Sequence, residues 1–179
     1  MSRLLLAALV ALALTSVANA EIGWTLKKGD NPALFAATQT IKGNLNIIRV
    51  GFACEESNGV KALQLQIYTK GGGPLAPSGV SRTQLKDEPR AQLVVDGQTF
   101  PVTLDFAGDY ALLTSDIDGI FPMLSDDLME AVMLGKVLTL RFDLRKKPSI
   151  GSGEFDSEMT VDLTGGKTAI SAVRRRCGK

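Results

Sequence analysis

The chain of 179 residues contains no histidine. That absence removes the commonest general base at neutral pH and the commonest transition-metal ligand. Ser-His-Asp and Cys-His nucleophile systems and HExxH zinc sites are therefore excluded. Cysteine is scarce at two residues, so the chain is not a disulfide-dense scaffold. Charge of one sign is lacking too: the net charge is +1, and 45% of residues are apolar, which excludes low-complexity disorder. Eighteen glycines are far too few for a collagen-like repeat.

Long hydrophobic runs are missing as well. The one unbroken apolar stretch, residues 4–14, is short of the roughly 20 residues that cross a bilayer as a helix. Arg3 before it and Ala18-Asn19-Ala20 after it make residues 1–20 a predicted secretory signal peptide, cleaved after Ala20. The expected location is periplasmic or secreted, with the mature chain, residues 21–179, as a single β-rich domain. Its balance is 19 basic against 19 acidic residues, without the positive excess of a nucleic-acid binder or the basic face of a peripheral membrane protein. The one basic run, Arg174-Arg175-Arg176, suits the negative end of a helix dipole better than it suits an anion site.

An exported chain meets an oxidising compartment, and two cysteines allow one pairing, Cys54 with Cys177. Their distance in sequence favours a structural bridge over a redox-active pair.

Strand signals dominate what remains: runs 22–27, 34–39, 45–54, 60–69, 91–95, 100–106, 109–114, 137–144 and 158–163. In 60–69, Leu63, Leu65 and Ile67 alternate with Gln64, Gln66 and Tyr68, which predicts one buried and one wet face. In 137–144, Leu138, Leu140 and Phe142 alternate with Thr139, Arg141 and Asp143. Asp96-Gly97 predicts a hairpin connection over 96–99, and Asn58-Gly59 another turn. Two helices are expected: 124–135, capped by Ser125 and closed by Gly135, and 166–176, carrying Ala169, Ile170 and Val173 at helical spacing. Residues 71–89 and 148–153 read as exposed loops. The expected fold is mainly β, an antiparallel sandwich or barrel with one or two short helices.

Few residues offer chemistry. Lys70-Gly71-Gly72-Gly73 lacks the spacing of a phosphate-binding loop. Asp116-Ile117-Asp118-Gly119 begins like a calcium loop without its distal ligands. Glu55, Glu56, Asp105 and Asp109 are carboxylates that could serve a glycan hydrolase, which needs two of them about 5–10 Å apart. Trp24 reads as core, and Tyr68, with Lys70 beside it at the glycine-rich segment, as the candidate recognition pair. No metal or cofactor is implied.

From Val94 to Cys177 the chain resembles small secreted proteins of alphaproteobacteria of the invasion-associated locus B type. The resemblance rests on Val95-Asp96-Gly97 at a hairpin, the short helix ending at Gly135, the strand 137–144, and Leu163-Thr164-Gly165-Gly166 leading through Ala169, Ile170 and Val173 to Cys177. It implies a periplasmic or secreted β-rich domain of a Gram-negative envelope that works by binding. The expected function is thus a non-catalytic binding or interaction protein whose partner is another envelope or host protein. The alternatives are a carboxylate-dependent glycan hydrolase and a carrier of a small apolar ligand inside a barrel.

Overall fold

The computed structural model describes residues 23–26, 34–36, 39–42, 44–108, 110–115, 123–147 and 154–178. The predicted signal peptide, Asp109, the 116–119 motif and the 148–153 loop lie outside the described residues.

The strands are β1 (Trp24–Leu26), β2 (Leu34–Ala36), β3 (Gln39–Lys42), β4 (Ile47–Ser57), β5 (Val60–Thr69), β6 (Leu85–Val95), β7 (Gln98–Ala107), β8 (Tyr110–Thr114), β9 (Val137–Arg145) and β10 (Ser157–Asp162). The helices are α1 (Asp126–Leu134) and α2 (Lys167–Arg176). Among the described residues the strands form one antiparallel sheet, in the order β1-β2-β4-β5-β8-β7-β6-β9-β10-β3. β3 ends this order and β2 stands next to its other end, although only residues 37–38 separate the two in sequence. Three Cα-to-Cα steps reach at most about 11 Å. The sheet must therefore curl until its two ends nearly meet.

Alternation places one face of every long strand inside the curl. Val50, Phe52 and Cys54 of β4, Leu63, Leu65 and Ile67 of β5, and Leu138, Leu140, Phe142 and Leu144 of β9 share one buried cluster with Leu93 and Met159. Burying a side chain of this size contributes about 2 kcal/mol, so the packed interior is the main source of stability. Two tight turns set the registers. Asn58-Gly59 and Asp96-Gly97 both have positive φ at both residues, as two-residue hairpins with the sheet's twist require. The second turn is shorter than expected, because β7 resumes at Gln98. The Asp96 carboxylate also accepts from the backbone N–H groups of Lys136 and Val137, both at 2.9 Å, and so fixes where β9 begins.

The helices close one end of the curl. Ser125 caps α1 by accepting from Leu128 N–H, and Leu128, Met129 and Val132 face the core. Gly135 ends α1 without a left-handed turn, at φ −70°. It is glycine for space: a Cβ there would lie 2.8 Å from the Ala131 carbonyl oxygen and run into a Val95 methyl. α2 lays Ile170 and Val173 on the core and delivers Cys177 to Cys54, forming the expected disulfide with Cα atoms 5.4 Å apart. Arg174, Arg175 and Arg176 occupy its last turn.

Three expectations are corrected. The run 34–39 is not one strand but parts of β2 and β3, because the chain changes sheet edges there, which hydropathy cannot register. The far face of β5 is not wet: Gln64 and Gln66 are only 2% and 1% exposed, and Gln66 donates to Glu55 and accepts from the Tyr68 hydroxyl. Residues 71–89 are not a free loop either. Leu75 is 1% exposed in the core, and the Asn46 amide holds that segment by donating to Pro74 O and accepting from Ala76 N–H. The extended strand β6 already starts at Leu85.

Candidate binding cleft at the open end of the sheet

The end of the curl opposite the helices opens into a cleft of about 500 Å³. Strand divergence makes it. β7 pairs with β6 only over Gln98–Val102, opposite Val95–Ala91, and from Thr103 onward it pairs with β8 instead. The first half of β6, residues 85–90, is left without a ladder partner on its β7 side among the described residues. The wedge between the two parting strands is the cleft.

Its two walls differ. Phe106 and Tyr110 come from the end of β7 and the start of β8, while Leu85, Lys86 and Pro89 come from β6. Phe106 lies on the core-facing side of β7, opposite Ala111, yet is 52% exposed because no strand covers it there. Gly73 and Pro74 of the glycine-rich segment form the rim, and the core residues Leu75 and Leu144 form the base.

The β6 wall is held by a buried carboxylate. Between Leu85, opposite Arg145, and Arg90, opposite Asp143, four residues of β6 face only Leu144, an irregular bulge that includes Pro89. Asp143 is 4% exposed and accepts from Lys86 Nζ, from Arg90 Nη2 at 2.7 Å and from Arg90 Nε at 3.0 Å. Burial alone pushes the Asp143 carboxyl up. The hydrogen bonds and charges of Lys86 and Arg90 outweigh that, so it titrates below the ordinary carboxylate range. The Arg90 guanidinium is correspondingly raised, first by its hydrogen bond to Asp143. Arg90 also reaches Glu154 at 3.0 Å and lies 6.0 Å from the centre of the Phe155 ring.

Charge in the cleft is uneven. Its one carboxylate among the described lining residues, Asp87, pairs with Lys146 at 3.2 Å. Arg82, from the short 3-10 turn Arg82–Gln84 that precedes β6, has no ion pair among the described residues. An apolar wall beside a cation that has no ion pair among the described residues suits a ligand that carries an apolar group beside an anion.

None of the residues singled out from sequence that the structure describes lines this cleft. Tyr68 is half-buried on the outer face of β5, and its ring packs 5.6 Å from that of Tyr110, the residue that does line the cleft. Lys70 is exposed at the start of a 3-10 turn, Lys70–Gly72. Glu55 is engaged by Gln66 and Glu56 is exposed beside it, while Asp105 is exposed on β7. β4 and β7 are three strand spacings apart, roughly 14 Å along the sheet, so these acids do not converge on a cleft. Trp24 packs against the core, stacked on Phe52 with centroids 5.8 Å apart and its indole N–H on the Asp162 carbonyl. No group of acidic residues or cysteines suited to a metal ion occurs among the described residues. No helix there is long and apolar enough to cross a membrane.

Phe106, Tyr110 and Arg82 were not candidates from sequence. Phe106 continues the apolar alternation of Phe100, Val102 and Leu104, a pattern that signals core, and only the parting of β6 from β7 exposes it. Arg82 sits in a polar stretch with no motif around it. No protein-family model, curated protein or solved structure matches the chain.

Proposed function

We propose that the chain is an exported, non-catalytic binding protein of the Gram-negative cell envelope, of the invasion-associated locus B type, which engages an envelope or host protein through the cleft at the open end of its sheet. The observation that carries this reading is the cleft itself, whose described lining has an exposed aromatic side chain, Phe106, a cation without an ion pair among the described residues, Arg82, and a carboxylate, Asp87, held by a lysine. The disulfide is compatible with an oxidising compartment outside the cytoplasm. The predicted signal peptide points to the same place.

The alternatives fare less well on the same observations. A hydrolase of glycosidic bonds needs two carboxylates facing each other across bound sugar, and the described lining offers Asp87 alone. A carrier that encloses an apolar ligand needs space inside the curl, and that volume is filled by the side chains of the core cluster.

Crosslinking of the tagged protein in its native envelope, followed by mass spectrometry, tests the reading. A discrete partner is expected with the native protein and lost with Phe106→Ser. A Cys54→Ser/Cys177→Ser variant, which lacks the bridge, serves as the destabilised control. Adducts identical in all three proteins would overturn it.

A further inference from the structure

We infer that the occupant of the cleft is an extended peptide segment, laid against the free edge of β6 at residues 85–88, with an apolar side chain on Phe106 and a carboxylate at Arg82. This rests on the binding role proposed above and specifies what is bound.

The backbone carries the first part of the argument. β6 begins at Leu85 and bulges over residues 86–89, and β7 has left this stretch for β8, so its backbone groups on that side have no strand partner among the described residues. Unpaired strand edges recruit extended segments because each added residue satisfies donors and acceptors that otherwise need water. Pro89 has no N–H, so the usable edge is short and ends before it. The edge is also firmly placed, since Asp143 ties Lys86 and Arg90 to β9 on the opposite side. A rigid edge binds a strand without an ordering cost of its own.

Side chains supply the rest. Alternate residues of an added strand point into the wedge. There they meet Phe106 and Leu85, with Leu144 beneath. A volume of about 500 Å³ suits a few residues and not a folded domain. Arg82 stands at the same cleft with no ion pair among the described residues, which makes an acidic neighbour to that apolar residue the complementary choice.

The test uses the mature, disulfide-bonded protein and a capped hexapeptide of alternating leucine and glutamate flanked by glycine. Amide shifts in nitrogen–proton correlation spectra and hydrogen exchange are read together. Saturable shifts are expected at residues 85–88 and 106–110, with exchange slowed at 85–88, the signature of backbone pairing. Phe106→Ser should weaken binding about tenfold. Arg82→Gln, or glutamine for glutamate in the peptide, should weaken it about fivefold. Both substituted side chains are exposed, and unchanged circular dichroism verifies folding.

Binding that leaves exchange at 85–88 unchanged, or that neither substitution alters, overturns the inference. Equal affinity for N-acetyl-leucine also overturns it, because a small acid would then suffice. A partner captured in the envelope through Phe106 while the peptide leaves 85–88 unprotected contradicts the peptide alone and leaves the binding role standing.

Discussion

Gly166 and Trp24 meet so closely that no side chain fits between them: a Cβ on Gly166 would lie 2.7 Å from Cδ1 of the Trp24 ring. The backbone at Gly166 has φ −92°, which any residue adopts, so space alone demands glycine there. Gly166→Ala must displace the indole from Phe52 and from the Asp162 carbonyl. Overpacking of this kind costs about 1–3 kcal/mol. Because Trp24 is the only tryptophan, its fluorescence reports the event directly. The expected result is a red-shifted emission and a lower urea midpoint, and an unshifted emission would contradict the packing described.

Asp143 gives the fold a defined acid sensitivity. Its folded pKa lies below that of the unfolded chain, so the folded state binds fewer protons than the unfolded state as pH falls toward the carboxylate range. Its contribution is fully present above about pH 4 and is lost as pH falls through the folded value. Asp143→Asn should cost about 2 kcal/mol at pH 7, since the charge-assisted bonds to Lys86 and Arg90 go. Urea unfolding from pH 7 down to 3 should show a smaller loss of stability for the variant than for the native protein. Parallel curves would mean that Asp143 is not the titrating group. The Asp162 carboxyl is lowered as well, by the hydroxyl and N–H of Thr164, so its effect has the same sign.

The Cys54–Cys177 bridge spans 123 residues of sequence. On the chain-entropy account, closing so long a loop contributes about 4–5 kcal/mol. The Cys54→Ser/Cys177→Ser variant should lose that much in urea unfolding. It should also free α2 from β4, seen as faster hydrogen exchange in residues 167–176. Exchange there as slow as in the native protein would place the anchoring in Ile170 and Val173 instead.

Asp96 contributes twice, to a hairpin turn and to the start of β9. Asp96→Ala removes two hydrogen bonds from Lys136 and Val137 and places alanine at φ 45°. A loss of about 2 kcal/mol is expected in thermal or urea unfolding. Asp96→Asn, which keeps one acceptor and tolerates positive φ, should recover part of it.

Much of the fold was legible in the sequence, and the reasons are local. The run 60–69 is β5 to the residue, and 137–144 is β9 short by one, because period-two alternation and flanking turns state both extent and face. Ser125 and Gly135 bracket α1, and the pairing of Cys54 with Cys177 followed from there being no other choice. What sequence could not give is partner exchange between strands. The step from β2 to β3 and the switch of β7 from β6 to β8 leave no trace in hydropathy. The binding cleft arises at that switch, so Phe106 reads as core and Tyr68 as surface when the cleft exposes the first and a buried polar row engages the second.

The central claim, that the open end of the sheet is the binding surface, is tested most directly by placing a photoreactive benzoylphenylalanine at position 106 and, separately, at Val60. Val60 is also exposed, but it follows the Asn58-Gly59 turn at the far end of β5. After irradiation in the native envelope, a discrete adduct is predicted at position 106 and none at position 60. No adduct at 106, or the same adduct at both, would contradict the account.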